Sequence, residues 1–319
     1  MSQPQPRSLR HVYRDALVGL MARDERIACL DTDTGLFSGT DFGPAAGRYI
    51  NLGIAEHVLM GAAAGMAADG WMPFVNTMAA FAASRATEAV KIDIAYNGLP
   101  VRIAATHGGL SAGHLGPTHH ALEDLAVMRT LPRMTVVVPA DAAQTEAFIA
   151  QSIDLPGPLY MRLGRKVTPE LPVPAPPPVI GQVQPLRPGR EVLIAGCGPY
   201  PVLAALAAAD ELAGDGIEAG VLNVHTVKPF DSEGFLGALS GAPVVVAVED
   251  HWRTGGLGSA IAEVLAEAGS GQRLIRIGIP DIFSGVAGDH EYLLEHYGVS
   301  ASTVVTQIRQ AAGLVPAEV

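Results

Sequence analysis

Two spacings of hydrophobic residues alternate along this chain. Short runs with almost no polar residue are typical of strands in a parallel sheet that is covered on both faces. Stretches in which apolar residues recur every three or four positions are typical of helices that pack on one side. The runs fall at residues 26–31, 71–75, 101–106, 134–138 and 158–162, and the helical stretches at 9–21, 56–68, 78–96, 121–130 and 142–151. The alternation predicts an α/β fold with a parallel sheet between helices.

A proline-rich segment divides this alternation into two parts. Residues 169–178 contain six prolines and no apolar periodicity, a composition that forms an extended, semi-rigid spacer. We therefore place a linker at residues 166–188, between a first domain at 1–165 and a second, smaller domain at 189–319. Beyond the linker the strand and helix patterns alternate again, so the sequence predicts two doubly wound α/β domains.

Composition and charge narrow the classes of function. The chain of 319 residues has a formal net charge of −11, which argues against nucleic acid or an anionic membrane as the main partner. Hydrophobic residues make up 49% and charged residues 17%, so a large core or a subunit interface is expected. Cys29 and Cys197 lie inside apolar runs and are predicted to be buried thiols in a reducing compartment. Because the sequence lacks a signal peptide and an apolar run of membrane length, we expect a soluble, cytoplasmic protein.

Glu56 is the first residue along the chain whose setting indicates a catalytic role. It opens a helix of small residues shortly after Gly53, and its neighbours Ile54, Ala55 and Val58 are apolar. Burial raises the pKa of a carboxyl group, whereas a helix N-terminus favours the ionised form, so an acid held between these influences is suited to handling a proton. A glutamate that only complements the helix dipole is the alternative that this stretch leaves open.

A loop rich in glycine and histidine follows the strand predicted at 101–106. Residues 107–120, which we call the histidine loop, read HGGLSAGHLGPTHH. Loops at the carboxyl ends of strands bind ligands in open α/β sheets, glycine permits close approach of the backbone, and histidine moves protons near neutral pH. A metal site is not favoured, because the spacing matches no metal-binding pattern and the loop lacks carboxylates and thiolates. The sequence therefore predicts a binding loop that handles protons and holds no metal.

Ordered motifs along the whole chain resemble the C-terminal half of the transketolase family, a pyrimidine-binding domain followed by the transketolase C-terminal domain. They are YINLGIAEH at 49–57, FVNTMAAF at 74–81, THGGLSAGHLGPTHHALEDLAVMR at 106–129, VVVPAD at 136–141, PLYMRLGR at 158–165, NVHTVKPFD at 223–231, VEDHWRTGGLGSAIAEVLAE at 248–267 and GIPDIF at 278–283. The resemblance implies a transferase that depends on thiamine diphosphate and moves a two-carbon ketol unit from a ketose donor.

The resemblance also implies which residues hold the cofactor. The acid that matches Glu56 hydrogen-bonds the aminopyrimidine ring and assists removal of a proton from the reactive carbon, a task that suits a carboxyl group in an apolar setting. Phe81 and Met78 match positions that pack on the same ring. Ordinary helix core is the alternative for Phe81.

The resemblance implies that five residues bind the substrate. His107 and His119 match catalytic residues that hydrogen-bond the substrate oxygens whose protons move. Arg162 and Arg165 match the region that binds the sugar phosphate, a task that suits the planar guanidinium group. His114 is the candidate for a further contact with the sugar. A surface position at a domain edge is the alternative for both arginines.

Half of the cofactor site is missing from this chain. Thiamine diphosphate enzymes hold the diphosphate through Mg²⁺ with a Gly-Asp-Gly motif followed by an asparagine. Residues 214–216 read Gly-Asp-Gly, but no asparagine follows at the required distance, so we interpret them as a helix-ending turn. The resemblance thus implies the B subunit of a split transketolase, with no metal of its own. A separate A subunit would hold Mg²⁺ and the diphosphate in an A2B2 heterotetramer.

Two positions depart from the family pattern. Leu115 stands where transketolases usually have an aspartate that contacts a hydroxyl of the sugar donor, and Met78 replaces a usual aromatic residue. Leucine cannot accept a hydrogen bond, so the sequence predicts a non-standard donor, or a contact that His114 takes over. A thioether can still pack against a ring.

Two alternatives stay open at this point. The beta subunit of a 2-oxo acid dehydrogenase decarboxylating component shares the architecture and the glutamate, although the paired THGG and GPTHH motifs favour a transketolase. The second alternative is a non-catalytic partner paralogue. Retention of Glu56, His107 and His119 counts against it, whereas Leu115 and Met78 keep it open.

Overall fold

The computed structural model describes residues 6–312 and folds them into two α/β units. The strands of the first unit are β1 (Arg7–Ser8), β2 (Ile27–Asp31), β3 (Tyr49–Asn51), β4 (Met72–Met78), β5 (Arg102–Thr106), β6 (Thr135–Val137), β7 (Leu159–Arg162) and β8 (Val167–Thr168). Its α-helices are α1 (Leu9–Met21), α2 (Glu56–Ala68), α3 (Ala79–Ala83), α4 (Thr87–Ala89), α5 (Asp124–Thr130) and α6 (Ala142–Ser152). Short 3-10 helices lie at Gly43–Arg48 and Gly113–Leu115, and a π-helix at Val90–Tyr96.

The second unit continues the same alternation. Its strands are β9 (Gln184–Arg187), β10 (Val192–Cys197), β11 (Ala219–Asn223), β12 (Thr226–Lys228), β13 (Val244–Trp252) and β14 (Arg273–Ile279). Its helices are α7 (Pro199–Gly214), α8 (Ser232–Ala238), α9 (Leu257–Glu267), α10 (His290–His296) and α11 (Ala301–Ala311). Within residues 6–312, no helix combines the length and the apolar character that crossing a membrane requires.

The first sheet brings its loops to one edge. Its strand order is β12-β6-β7-β5-β4-β2-β3, and neighbouring strands from β6 to β3 run parallel. Strands β2 and β5 are buried along their whole length, as expected for a parallel sheet covered on both faces. Because parallel strands end on the same side, the segments that follow β3, β4, β5 and β7 all lie along the carboxyl edge.

The two units share a core. Strand β12 comes from the second unit but pairs antiparallel with β6 of the first sheet. Apolar side chains of both units pack there, with Val136 and Val138 in the same cluster as Leu222 and Val224. The second sheet has the order β14-β13-β10-β11-β9, and all of its strands except β9 are parallel. In the predicted linker, residues 169–183 contain neither helix nor strand, while its ends form β8 and β9.

The single helix predicted for residues 78–96 is wrong. The structure has α3, a break at residues 84–86, α4 and then the π-helix. The Ser84 hydroxyl donates to the Ala80 carbonyl at 2.6 Å, and the Thr87 hydroxyl donates to the Ala83 carbonyl. These side chains compete for carbonyl acceptors that helical N–H groups would otherwise use, which favours a break.

Two predictions about local features are confirmed. Cys29 and Cys197 are both free and buried. Residues 214–216 end α7: Gly216 has a φ of 79°, and Asp215 forms an ion pair with Arg309 whose Oδ2 to Nη2 distance is 2.7 Å. The Gly-Asp-Gly letters therefore mark a helix-ending turn.

Candidate active site

Glu56 lies at the carboxyl edge of the first sheet, shortly after β3. Gly53 turns the chain there with a φ of 69°, and its N–H donates to the side-chain oxygen of Asn51 at 2.8 Å. Glu56 is the first residue of α2, and only 4% of its surface is exposed. The predicted setting of this acid, buried at a helix N-terminus, is confirmed.

Arg85 is the charged partner of Glu56. Its Nη1 lies 3.6 Å from Glu56 Oε2, and its guanidinium carbon lies 4.3 Å from the centre of the Phe81 ring. The sequence analysis misses this residue, because it sits in the break that separates α3 from α4. The available signal is a cation four positions after Phe81 within a stretch of small residues.

Phe81 connects the acid to the histidine loop. Its ring is half-buried, and the ring of His119 packs against it edge to face with 5.3 Å between the centres. The Nδ1 atom of His119 lies 2.9 Å from the hydroxyl of Thr118. Met78, the last residue of β4, is also half-buried. The structure thus brings Glu56, Phe81 and His119 into one continuous series of contacts through Arg85.

His107 follows β5 directly, and its backbone is in the left-handed region with a φ of 62°. The Thr106 hydroxyl oxygen lies 3.3 Å from the Thr77 carbonyl oxygen and 2.9 Å from His107 Nδ1. The single hydroxyl proton can go to only one of these two partners: when it goes to the Thr77 carbonyl, His107 Nδ1 donates to Thr106 and both contacts are hydrogen bonds. That arrangement puts the proton of the neutral ring on Nδ1 and leaves Nε2 as an acceptor.

The surroundings of His107 keep its ring neutral. Burial, together with the charges of Arg10 and Arg165, lowers the pKa of His107 to about 3. At neutral pH the ring therefore carries no charge and can accept a hydrogen bond from a hydroxyl group.

Arg165 and His114 lie together beyond the end of β7. Arg165 Nη1 is 3.4 Å from His114 Nδ1, and the Arg165 carbonyl accepts a hydrogen bond of 3.0 Å from the Ser8 hydroxyl. The second of these contacts brings the start of α1 to the same place. His114 is exposed and Arg165 is half-buried, so both can reach a ligand that approaches the sheet edge.

Arg10 adds a positive charge that the sequence analysis does not find. Burial and the charges of Arg165 and Arg14 lower the pKa of Arg10. Its Nε atom is buried and has no hydrogen-bond partner within residues 6–312. An arginine that lies near other cations and has an N–H without a partner favours the binding of an anionic ligand. The sequence contains no local signal for it, because the contact depends on how the N-terminal segment packs.

Arg162, predicted to bind substrate, is buried in the structure. Its Nε lies 3.0 Å from Asp124 Oδ2, its Nη2 donates to the Ala121 carbonyl at 2.7 Å, and its aliphatic carbons pack against Gly108. The guanidinium group thus serves contacts inside the protein. These buried contacts support the histidine loop, and an anion contact by Arg165 stays a prediction.

Comparison with known protein families identifies the chain. The profile of the transketolase pyrimidine binding domain matches residues 5–170, and the profile of the transketolase C-terminal domain matches residues 181–304. The chain belongs to the transketolase family. The resemblance predicted from the motifs is confirmed, and so is the fold class that it implies.

Transketolase relatives match this chain over most of its length. It is 40% identical over 299 residues to a 6-deoxy-6-sulfo-D-fructose transketolase subunit of Clostridium sp. (strain MSTE9), a match that covers 93% of this chain and 92% of the relative. It is 37% identical to the B subunit of the apulose-4-phosphate transketolase of Actinobacillus succinogenes, over 81% of this chain and 83% of the relative. A solved structure described as a split gene transketolase, inactive beta4 tetramer, has a TM-score of 0.86, is 40% identical, and covers 97% of this chain and 99% of that one.

Single-chain relatives are longer. The 1-deoxy-D-xylulose-5-phosphate synthase of Gloeobacter violaceus is 35% identical over 99% of this chain, but the match covers 50% of that enzyme. This chain therefore corresponds in length to one half of such a protein.

Transketolases depend on thiamine diphosphate, and residues of this chain fit the pyrimidine end of that cofactor. Arg85 reaches Glu56 only at 3.6 Å, which is longer than a hydrogen bond, so the buried carboxylate can still bond a ring nitrogen. The half-buried ring of Phe81 lies beside the same guanidinium group. Within residues 6–312, no group of three or more potential metal ligands is placed to hold a metal ion.

Proposed function

We propose that this chain is the B subunit of a two-component transketolase. Together with a separate A subunit, it moves a two-carbon ketol unit from a ketose donor to an acceptor. The observation that carries the proposal is the series of contacts from Glu56 through Arg85 and Phe81 to His119 along one sheet edge. It places an acid, an aromatic ring and a histidine around one region, which is the arrangement that ring binding and proton handling require.

Glu56, Phe81 and Met78 would hold the pyrimidine ring of the cofactor. Glu56 would share a proton with a ring nitrogen; its buried setting favours proton sharing over release to solvent. Phe81 and Met78 would pack against that ring. When bound, thiamine diphosphate supplies the carbon centre that carries the ketol unit.

His107 and His119 handle the protons of the substrate. The neutral ring of His107 presents Nε2 as an acceptor for a sugar hydroxyl, because Thr106 occupies Nδ1. His119 is oriented by Thr118 on one side and by the Phe81 ring on the other. Two oriented imidazoles can then bind the oxygens whose protons move when a carbon–carbon bond breaks.

Two arginines and a histidine at the end of the site select the donor; burial and the charge of Arg165 lower the pKa of His114, so its ring is neutral. Arg165, His114 and Arg10 bind a phosphate or sulfonate at the far end of the ketose, and the guanidinium groups supply several donors each. The two relatives are named for a sulfo-sugar and a sugar phosphate, both of which carry such an anion. Leu115, which is 40% exposed, offers no acceptor to a sugar hydroxyl, and this favours a non-standard donor.

The A subunit would cover an exposed apolar surface beside Glu56. Ile54, two residues before α2, is 74% exposed, Val58 in the first turn of α2 is 60% exposed, and Tyr96 on the neighbouring π-helix is 76% exposed. Several large exposed apolar side chains on neighbouring segments are typical of subunit interfaces. The partner supplies the Mg²⁺ and diphosphate site, and we propose an A2B2 assembly in the cytoplasm.

Cofactor binding tests this proposal. Calorimetric titration of the purified chain with thiamine diphosphate and Mg²⁺ should detect no tight binding, whereas a mixture with the A subunit should bind the cofactor and transfer a ketol unit. The A subunit is sought as a chain with a Gly-Asp-Gly and asparagine motif encoded next to this one. Tight, Mg²⁺-dependent binding by this chain alone would contradict the divided site.

A further inference from the structure

The histidine loop is attached to the second unit through Asp250. This residue lies near the end of β13 and is buried, and its two carboxylate oxygens accept the Leu110 N–H at 3.0 and 3.2 Å. On its other side, Oδ2 lies 2.8 Å from Nε2 of His290, the first residue of α10. One carboxylate thus connects the loop, β13 and α10.

Two glycines allow the loop and the second unit to approach closely. A Cβ atom at Gly109, whose φ is 61°, would lie 1.9 Å from Asp250 Oδ2. A Cβ atom at Gly113 would lie 2.4 Å from the carbonyl oxygen of Gly288, whose N–H donates to the Gly113 carbonyl at 3.1 Å. The loop therefore contacts the second unit in two ways: at Gly113 its backbone lies against the backbone of Gly288, and at Gly109 it lies against the carboxylate of Asp250.

The charge of Asp250 is compensated within the protein. His290 packs edge to face on Tyr200, with 4.7 Å between ring centres, and this holds its Nε2 toward the carboxylate. Although burial works in the opposite direction, the neighbouring His290 and Arg162 hold the pKa of Asp250 below its usual range. A buried carboxylate that has partners and stays ionised is a strong acceptor for a backbone N–H.

The attachment of the loop also bears on the backbone conformation of His107. His107 has a backbone φ of 62°, a left-handed conformation that is strained for a residue with a side chain and persists only where neighbouring contacts impose it. The Leu110 hydrogen bond fixes the loop three residues later. Without it the loop can relax, and Nε2 of His107 would no longer point to a fixed place.

We propose that Asp250, oriented by His290, is a positioning residue for catalysis: it anchors Leu110 and so fixes His107 toward the substrate. The second unit thereby takes part in the reaction of the first without touching substrate. This inference rests on the proposed transketolase function, in which His107 contacts the donor.

Hydrogen exchange and kinetics together test the proposal on the full chain assembled with its A subunit. In Asp250→Ala, we expect the Leu110 amide to exchange at least tenfold faster and kcat to fall at least tenfold, with little change in the KM of the acceptor. In Asp250→Asn, one oxygen can still accept, so exchange and kcat should both be partly restored. If Asp250→Ala does not fold, the same comparison is made between Asp250→Asn and His290→Gln.

Glu249 provides a matched control. It is the neighbouring buried carboxylate, and it accepts the N–H groups of Leu257 and Gly258 at the start of α9 instead of a loop amide. Glu249→Gln should lower Tm without changing Leu110 exchange. Unchanged Leu110 exchange in a folded Asp250→Ala, or faster exchange with normal kcat, would overturn the inference. An inactive wild-type complex that still shows the exchange difference would instead contradict the transketolase function.

Discussion

Arg85 Nη1 lies 3.6 Å from Glu56 Oε2, although the two residues belong to segments that the sequence separates by a strand and a broken helix. The pair is asymmetric: 5% of the Glu56 side chain and 54% of the Arg85 side chain are exposed. The acid is therefore almost fully buried, while its cation stays accessible to solvent.

Glu56→Gln should abolish activity of the assembled enzyme and leave the fold intact. Glutamine keeps the shape but cannot share a proton, and loss of a general acid or base costs about 100- to 10,000-fold in rate. Steady-state kcat and the far-UV circular dichroism spectrum measure the two effects. Glu88→Gln, an exposed glutamate of α4, is the control and should behave like the wild type. Near-normal turnover by Glu56→Gln would remove this residue from the mechanism.

Arg85→Lys should weaken cofactor binding by the complex about fivefold. Lysine retains the charge but loses the planar stacking on Phe81, and contacts of this kind at a half-exposed cation are worth about 1 kcal/mol. The apparent Kd of thiamine diphosphate in the assembled enzyme is the measurement. Arg23→Lys replaces an exposed arginine on another face and serves as the control. Equal Kd values for wild type and Arg85→Lys would show that stacking of the planar guanidinium group on Phe81 does not contribute to cofactor binding.

His107 should make the protein less stable as the pH falls below 6.5. Its folded pKa of about 3 lies below the unfolded value of 6.5, so the unfolded state binds the extra proton, and stability is lost between these two values as pH decreases. Each such histidine contributes about 1.4 kcal/mol per pH unit in this window. Urea unfolding at pH 7, 6 and 5 should show a shallower loss for His107→Gln than for the wild type.

The matched control for that measurement is His225→Gln. Burial lowers the pKa of His225 to about 4, but this ring packs on Phe148 away from the histidine loop. His225→Gln, like His107→Gln, should lose less stability than the wild type as the pH falls. His225→Gln should leave kcat unchanged, whereas His107→Gln should also reduce kcat. Parallel pH profiles for wild type and His107→Gln would mean that the ring is not kept neutral by the fold.

Arg165→Met should raise the KM of an anionic donor about 10- to 100-fold. Charge-assisted hydrogen bonds contribute about 1.5–3 kcal/mol, and the effect should shrink at high salt. Lys166→Met is the control, because this adjacent cation is already paired with Asp289. If both variants raise KM equally, the site responds to general charge rather than to Arg165.

Leu115→Asp should shift donor preference toward ordinary ketose phosphates. The new carboxylate can accept a hydrogen bond from a sugar hydroxyl, and one such contact changes the ratio of kcat/KM values about tenfold. Parallel assays with two donors that differ in that hydroxyl measure the ratio. Leu115→Met keeps the position apolar and should not alter it. An unchanged ratio in Leu115→Asp would exclude this position from donor selection.

Much of the fold and part of the site could be predicted from local patterns. The order of strands and helices follows from the period of apolar residues, and Glu56 is recognisable because helix start, glycine turn and apolar neighbours are close in sequence. The break at residues 84–86 was not recognisable from periodicity, because the stripe of apolar residues continues across it. The break is indicated only by the hydroxyl groups of Ser84 and Thr87, which donate hydrogen bonds to main-chain carbonyls.

By itself, the sequence determined the family, the α/β order, the acid at the start of α2 and the histidine loop, since each depends on residue types within a few positions. Tertiary structure alone decided that Arg85 joins Glu56, that Arg10 faces Arg165, that Arg162 turns inward and that Asp250 holds Leu110 across 140 positions. Such contacts depend on how distant segments pack, and the pattern of residues along a chain does not contain those distances.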